Sequence, residues 1–88
     1  MTRHQITDTD IEKCVVELID AIDFRLNQKG HGIFVSQHEI RGAIDEEFDE
    51  YHEAVHLNDH HEQKKELMDI AVAAMVGIIS IDSGKMEW

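Results

Sequence analysis

The chain has 88 residues, of which 19 are acidic and 8 are lysine or arginine, so its net charge is −11 with histidines neutral. This length corresponds to one small domain, residues 1–88. The acidic excess disfavours nucleic acid and anionic membranes as partners, because both are negatively charged. With a single cysteine there is no intrachain disulfide, and we expect Cys14 to be a small core residue. The polar N-terminal stretch lacks an apolar signal region, so we expect a cytoplasmic protein.

The first predicted helix follows a polar arm, residues 1–8. Thr9 and Glu12 have the spacing of a capping box, which favours a helix start there. A lysine followed by glycine, Lys29–Gly30, favours a helix end. We therefore predict a helix over about residues 9–29. Its apolar residues recur at helical spacing: Ile11, Val15, Leu18, Ile22 and Leu26.

The second predicted helix follows a glycine-bearing linker, residues 31–35. Ser36 and Glu39 form a second capping-box pattern, so the helix is predicted to run from about Gln37 to Leu57. Its apolar stripe comprises Ile40, Ile44, Phe48, Tyr51 and Val55.

The third predicted helix begins after Asp59, which has Glu62 three residues later, and ends near Ile81, before a tail of residues 82–88. Residues 70–81 are apolar or small on every side except at Ser80. This segment is too short to span a bilayer, which takes about 20 residues. A helix that is apolar all round has to be buried all round. We therefore predict an all-α fold of three long helices per chain, completed as a four-helix-type bundle in a homodimer or homotetramer.

Two acidic pairs at helical spacing stand out in the second and third helices. Glu47 and Glu50 share one face, as do Glu66 and Asp69. If the two helices pack antiparallel, the four carboxylates converge. Each like-charge pair about 5 Å apart then costs roughly 3 kcal/mol at an effective dielectric of about 20, which a bound cation would offset. Oxygen-only ligation favours Mg²⁺ or Mn²⁺ over zinc, while a solvated acidic face is the alternative interpretation.

The motif Glu46-Glu47-x-x-Glu50, followed by Glu66-x-x-Asp69, resembles the signature of the MazG-like all-α nucleoside triphosphate pyrophosphatases. The segment from His31 to Glu39 and the apolar third helix are also similar to that family. One departure is Met68, at a position where many members have glycine.

The resemblance implies a Mg²⁺-dependent hydrolase, with Mn²⁺ as the other candidate ion. It would convert an NTP or dNTP to the monophosphate and pyrophosphate by metal-activated water attack at the α-phosphorus. The implied metal ligands are Glu47, Glu50, Glu66 and Asp69. Glu46 is the implied catalytic residue, which orients or deprotonates the water or holds a further ion. The candidate substrate-binding residues are Lys65, His38 and Phe34; the alternative roles are a solvated side chain for Lys65 and plain packing for Phe34.

A competing motif is His52-Glu53-Ala54-Val55-His56, which matches the H-E-x-x-H signature of zinc peptidases. A helical wheel places His52 and His56 nearly opposite Glu47, so one site does not use both motifs. A zinc peptidase also needs a third ligand and a substrate-binding scaffold, for which no strand signal appears in the sequence. Three hypotheses therefore remain: the pyrophosphohydrolase, a non-catalytic helical oligomerisation or metal-binding module, and the zinc peptidase. Zinc or nickel binding along His52, His56 and His60 is a further alternative to peptidase chemistry.

Overall fold

A computed structural model of the protein describes residues 2–88 and contains three helices and no strand in that range. The helices are α1 (Asp8–Lys29), α2 (Gln37–His56) and α3 (His60–Ser83). α3 is central, since it packs against both α1 and α2, whereas α1 and α2 do not pack on each other. The predicted all-α class with three helices is confirmed. None of the helices within residues 2–88 is long and apolar enough to cross a membrane.

The start of α1 differs from the prediction. Its N-cap is Thr7, whose hydroxyl accepts a hydrogen bond from the Asp10 N–H at 3.1 Å. The Asp10 carboxylate accepts one from the Thr7 N–H at 2.9 Å, which completes a capping box. The hydrogen bond from the Thr7 N–H to the carboxylate, followed by the effect of the Thr7 hydroxyl, lowers the pKa of Asp10. The capping box predicted at Thr9 is therefore wrong, because the Thr7–Asp10 pair starts the helix earlier.

The predicted caps of α2 and α3 are in place. Ser36 caps α2 by accepting from the Glu39 N–H at 3.1 Å, while the Glu39 carboxylate accepts from the Val35 N–H rather than from Ser36. Asp59 caps α3 by accepting from the Glu62 N–H at 3.1 Å. The turn between these helices spans only residues 57–59, so they run antiparallel.

The two later helix ends shift slightly from the prediction. α2 ends at His56, one residue before the predicted end. α3 continues to Ser83, beyond the predicted end at Ile81, because Gly84 supplies the left-handed backbone (φ +68°) that closes it.

The core lies between α2, α3 and the linker that precedes α2. Gly77 permits a close approach of α2, since a Cβ there would lie 3.2 Å from Cγ2 of Ile40. The buried face of α2 passes through Ala54, whereas Phe48 and Val55 are about half exposed. This face is rotated from the predicted apolar stripe and carries Glu47 inwards. The buried residues are Phe34, Ala54, Glu66, Val72, Ala73, Val76, Gly77 and Ser80.

α1 contributes no fully buried residue within a single chain. Cys14 is exposed, so its predicted core position is wrong: α1 packs only against α3, and its other faces remain open to solvent. On α3, Ile78, Ile79 and Ile81 are each more than half exposed. The expectation that residues 70–81 are buried on every side is therefore not met by one chain alone.

Candidate metal centre

Four carboxylates from α2 and α3 meet at one point. Glu47 and Glu50 lie one turn apart on α2, and Glu66 and Asp69 lie one turn apart on α3. Each supplies one oxygen, and these four oxygens all lie within 4.8 Å of one another. The antiparallel pairing of the two helices brings the acidic pairs together, as their spacing predicted.

Two of these side chains have oxygens that are buried without a partner. Glu66 is only 4% exposed, and its Oε1 accepts a hydrogen bond from Lys65 Nζ at 3.4 Å. Its second oxygen, Oε2, is buried and has no hydrogen-bond partner, and the same is true of Glu47 Oε2. A buried charged oxygen that has no hydrogen-bond partner destabilises the folded state by more than about 1 kcal/mol. The site therefore contains two buried carboxylate oxygens, Glu47 Oε2 and Glu66 Oε2, that can still accept a ligand.

The protonation of the carboxylates reflects this crowding. Burial, followed by the charges of Glu50, Asp69 and Glu66, raises the pKa of Glu47 to about 7. Burial and the charge of Glu66 raise the pKa of Asp69, against opposing effects of Lys65 and Lys29. The pKa of Glu50 is raised, chiefly because its carboxyl group can donate a hydrogen bond to Glu66 only when it is protonated, and further by burial and the charge of Glu66. Near neutral pH Glu47 is thus partly protonated, and a bound cation would displace that proton.

The donor set fits a hard divalent cation. All ligands are carboxylate oxygens, as Mg²⁺ and Mn²⁺ prefer, and the group contains neither histidine nor cysteine. The partnerless oxygens of Glu47 and Glu66 supply the free lone pairs that such an ion requires. Lys65 partly balances the charge, and the charge of Glu66 raises the pKa of this lysine in turn. One ammonium leaves most of the negative charge of four carboxylates uncompensated.

A cavity of about 360 Å³ lies beside this acidic cluster. Among the sequence-predicted site residues, Glu46, Glu47, Lys65, Asp69 and Phe34 line it. His38 does not line it, and its side chain is exposed in the first turn of α2. The cavity therefore joins the predicted catalytic residue, part of the metal cluster and two of the three predicted substrate-binding residues.

Two cations of α1 also line this cavity, and the sequence reasoning did not select them. Arg25 and Lys29 are one turn apart, and the Arg25 guanidinium carbon lies 5.5 Å from the centroid of the Phe34 ring. The available signal was their i, i+4 spacing in a chain with few basic residues. What the sequence lacked was the orientation of α1 on α3, which decides the direction in which these side chains point.

Phe34 is held in place by a buried hydrogen-bond chain. Its N–H donates to Ser80 Oγ at 2.9 Å, and that hydroxyl donates to the Val76 carbonyl at 2.7 Å. Ser80 is completely buried. The one polar residue within the apolar segment of α3 thus fixes the linker that forms one wall of the cavity.

The H-E-x-x-H segment lies elsewhere on α2. His52, Glu53 and His56 are all exposed. In residues 2–88, the only group of three or more side chains arranged to share a metal is the acidic cluster, which includes no histidine.

No protein-family model, curated protein or solved structure significantly matches this chain. The interpretation of the site consequently depends on the four converging carboxylates, their partnerless oxygens and the adjoining cavity.

Proposed function

We propose that this protein is a Mg²⁺-dependent nucleoside triphosphate pyrophosphohydrolase of the MazG-like type, acting in the cytoplasm. The observation that carries the proposal is the cluster of four carboxylates, two of which have a buried oxygen with no partner, next to a cavity. Structural ion pairs leave few such oxygens, because an unpaired buried acceptor destabilises the fold. A site for a divalent cation, in contrast, needs carboxylate oxygens that are free to bind the ion.

In this proposal the four clustered carboxylates hold Mg²⁺ or Mn²⁺. When bound, the ion neutralises phosphate charge and lowers the pKa of a coordinated water. Glu46 lines the cavity next to Glu47, yet it is not one of the four clustered acids. Its exposed carboxylate is free to orient the attacking water and accept its proton. The products are a nucleoside monophosphate and pyrophosphate.

The substrate occupies the cavity of about 360 Å³. Lys65 reaches both the cavity and Glu66, so it can contact a phosphate while it balances the cluster. Phe34 supplies an aromatic wall. His38 has no role in this proposal, because it lies outside the cavity lining.

The proposal includes a homodimer or homotetramer that completes a four-helix-type bundle. The exposed isoleucines of α3, Ile78, Ile79 and Ile81, support it, as do Val15 and Ile19 on α1. Apolar side chains exposed in this number on so small a domain are typical of surfaces that are covered in an assembly.

A second candidate is a non-catalytic metal-binding oligomerisation module. The same exposed apolar side chains favour it, because they would be retained without any chemistry at the acidic cluster. The two functions differ in what they require of the carboxylates, since the module needs the fold, the assembly or a bound ion, but no chemistry on a nucleotide.

The deciding experiment is incubation with a panel of ribo- and deoxyribonucleotides and Mg²⁺, with separate assays for pyrophosphate and orthophosphate. We expect pyrophosphate release that is lost with chelator and in Glu47→Gln. The matched control is Glu53→Gln, an equal charge change at an exposed position of α2, which should retain activity. Absence of release from every nucleotide would favour the module. Zinc-dependent peptide cleavage lost in His52→Ala would instead favour the peptidase.

A further inference from the structure

Within residues 2–88, Arg25 and Lys29 are two cations of α1 that form no salt bridge, in a strongly acidic chain. The salt bridges within residues 2–88 use Arg41, Lys64 and Lys65, and neither α1 cation takes part in one. Both side chains instead line the cavity beside the acidic cluster. Arg3, Lys13 and Lys85 are also outside these salt bridges, so what distinguishes Arg25 and Lys29 is their shared place in the cavity lining.

The position of Arg25 is fixed without use of its hydrogen-bond donors. Its guanidinium lies 5.5 Å from the centroid of the Phe34 ring, within the range of a cation–π contact. Phe34 is itself held by Ser80. A guanidinium that contacts a ring in this way makes no hydrogen bond to it, so its N–H groups stay available, and their planar fork matches the oxygens of a phosphate.

The acidic residues of the cavity lining all lie on α2 and α3, together with one lysine, Lys65, whereas the charged lining residues of α1 are both cations. Glu46, Glu47 and Asp69 lie on the α2 and α3 side, whereas Arg25 and Lys29 lie on the α1 side. The two sides are close, because Lys29 and Asp69 line the same cavity of about 360 Å³. A ligand that suits both sides binds a divalent cation and is itself an anion with several oxygens. A chain of linked phosphates has both properties.

We infer that Arg25 and Lys29 bind the phosphate chain of the ligand, opposite the carboxylates that hold its metal ion. This inference rests on the proposed function and adds to it the anion-binding half of the site. It makes the phosphate chain sufficient for binding, so that inorganic tripolyphosphate with a divalent ion occupies the cavity without a base or sugar.

The test is calorimetric binding of inorganic tripolyphosphate to the full chain in the presence of Mn²⁺, with binding of Mn²⁺ alone as a separate titration. We expect Arg25→Gln and Lys29→Gln each to weaken tripolyphosphate binding by about tenfold, as for loss of one charged hydrogen bond. Both variants should bind Mn²⁺ alone about as well as wild type. Arg41→Gln is the matched control, since it removes one positive charge from an exposed ion pair with Asp45 and should change tripolyphosphate affinity little.

The inference is overturned if the wild type fails to bind tripolyphosphate with Mn²⁺, or if the α1 variants lose no more affinity than Arg41→Gln. Nucleotide hydrolysis that persists in either case leaves the proposed function standing, whereas failure of hydrolysis and of Mn²⁺ binding in the wild type removes the function itself. Circular dichroism checks the fold of each variant. If Arg25→Gln, at a half-buried position, does not fold, Lys29→Gln at an exposed position decides the outcome.

Discussion

Glu47 on α2 and Glu66 on α3 each bury one carboxylate oxygen that has no hydrogen-bond partner, and both belong to the same four-residue cluster. The two side chains also repel one another, which contributes to the raised pKa of Glu47. Without a metal ion, this is a locally unfavourable part of the fold. Functional sites commonly lower stability in this way, because groups arranged for a ligand are poorly satisfied without it.

Replacement of Glu47 by glutamine should therefore stabilise the metal-free protein. The neutral amide removes repulsion from three neighbouring carboxylates and can donate a hydrogen bond to one of them. We expect a gain of about 1–2 kcal/mol in the free energy of unfolding at pH 8 with chelator present, from urea denaturation. Glu53→Gln, on the exposed side of α2, should change the free energy of unfolding by no more than about 0.5 kcal/mol. A loss of stability in Glu47→Gln alone would show that the carboxylate supports the fold.

The stability of the metal-free protein should depend on pH between about 5 and 7. Folded Glu47 retains its proton up to about pH 7, whereas the ordinary pKa is 4.5. Because the folded state binds more protons in this window, stability falls as the pH rises through it. We expect the free energy of unfolding to decrease by on the order of 1–2 kcal/mol from pH 5 to pH 8. This is measured by denaturation with chelator present and at constant ionic strength. The decrease should be smaller in Glu47→Gln. An equal decrease in this variant would show that other groups cause the pH dependence of stability.

Divalent metal should stabilise the folded protein through the same cluster. An ion at a hundred times its Kd adds about 2.7 kcal/mol if it binds only the folded state. For a domain of this size, thermal scans with Mn²⁺ should then show a rise in Tm of roughly 10–20 °C.

Glu66→Gln should lose most of this metal-dependent rise, since it alters the most buried ligand. His52→Ala should retain it, because His52 is outside the cluster. A rise in Tm with Mn²⁺ that survives Glu66→Gln but not His52→Ala would place the metal at the histidines.

The acidic cluster was predictable from sequence because its geometry is local. The i, i+3 spacing places Glu47 beside Glu50 and Glu66 beside Asp69, and the turn over residues 57–59 forces the two helices to run antiparallel. Helical periodicity and caps fixed the approximate bounds of all three helices for similar reasons. Only short-range rules were needed for these features.

The contribution of α1 was not predictable, because it depends on tertiary packing. The apolar stripe of this helix does not indicate which helix it packs against. In the structure α1 packs against α3 alone. That choice exposes Cys14 and directs Arg25 and Lys29 into the cavity. The role of Ser80 depends similarly on a contact with Phe34, 46 residues away in sequence. Local patterns contain no information on such distant pairings.

Ser80→Ala should weaken ligand binding without loss of the metal site. The substitution removes the acceptor for the buried Phe34 N–H, which should destabilise the protein by about 1–3 kcal/mol. It also releases Phe34, the ring that makes the cation–π contact with Arg25, so affinity for Mn²⁺-tripolyphosphate should fall several-fold. Binding of Mn²⁺ alone should be unchanged, because Ser80 lies apart from the four carboxylates. Ser83→Ala is the control, since that hydroxyl bonds only to the Ser80 carbonyl and the Lys85 N–H near the end of α3. Equal effects of the two serine substitutions on tripolyphosphate binding would mean that the Phe34–Ser80 contact does not position the anion-binding side of the cavity.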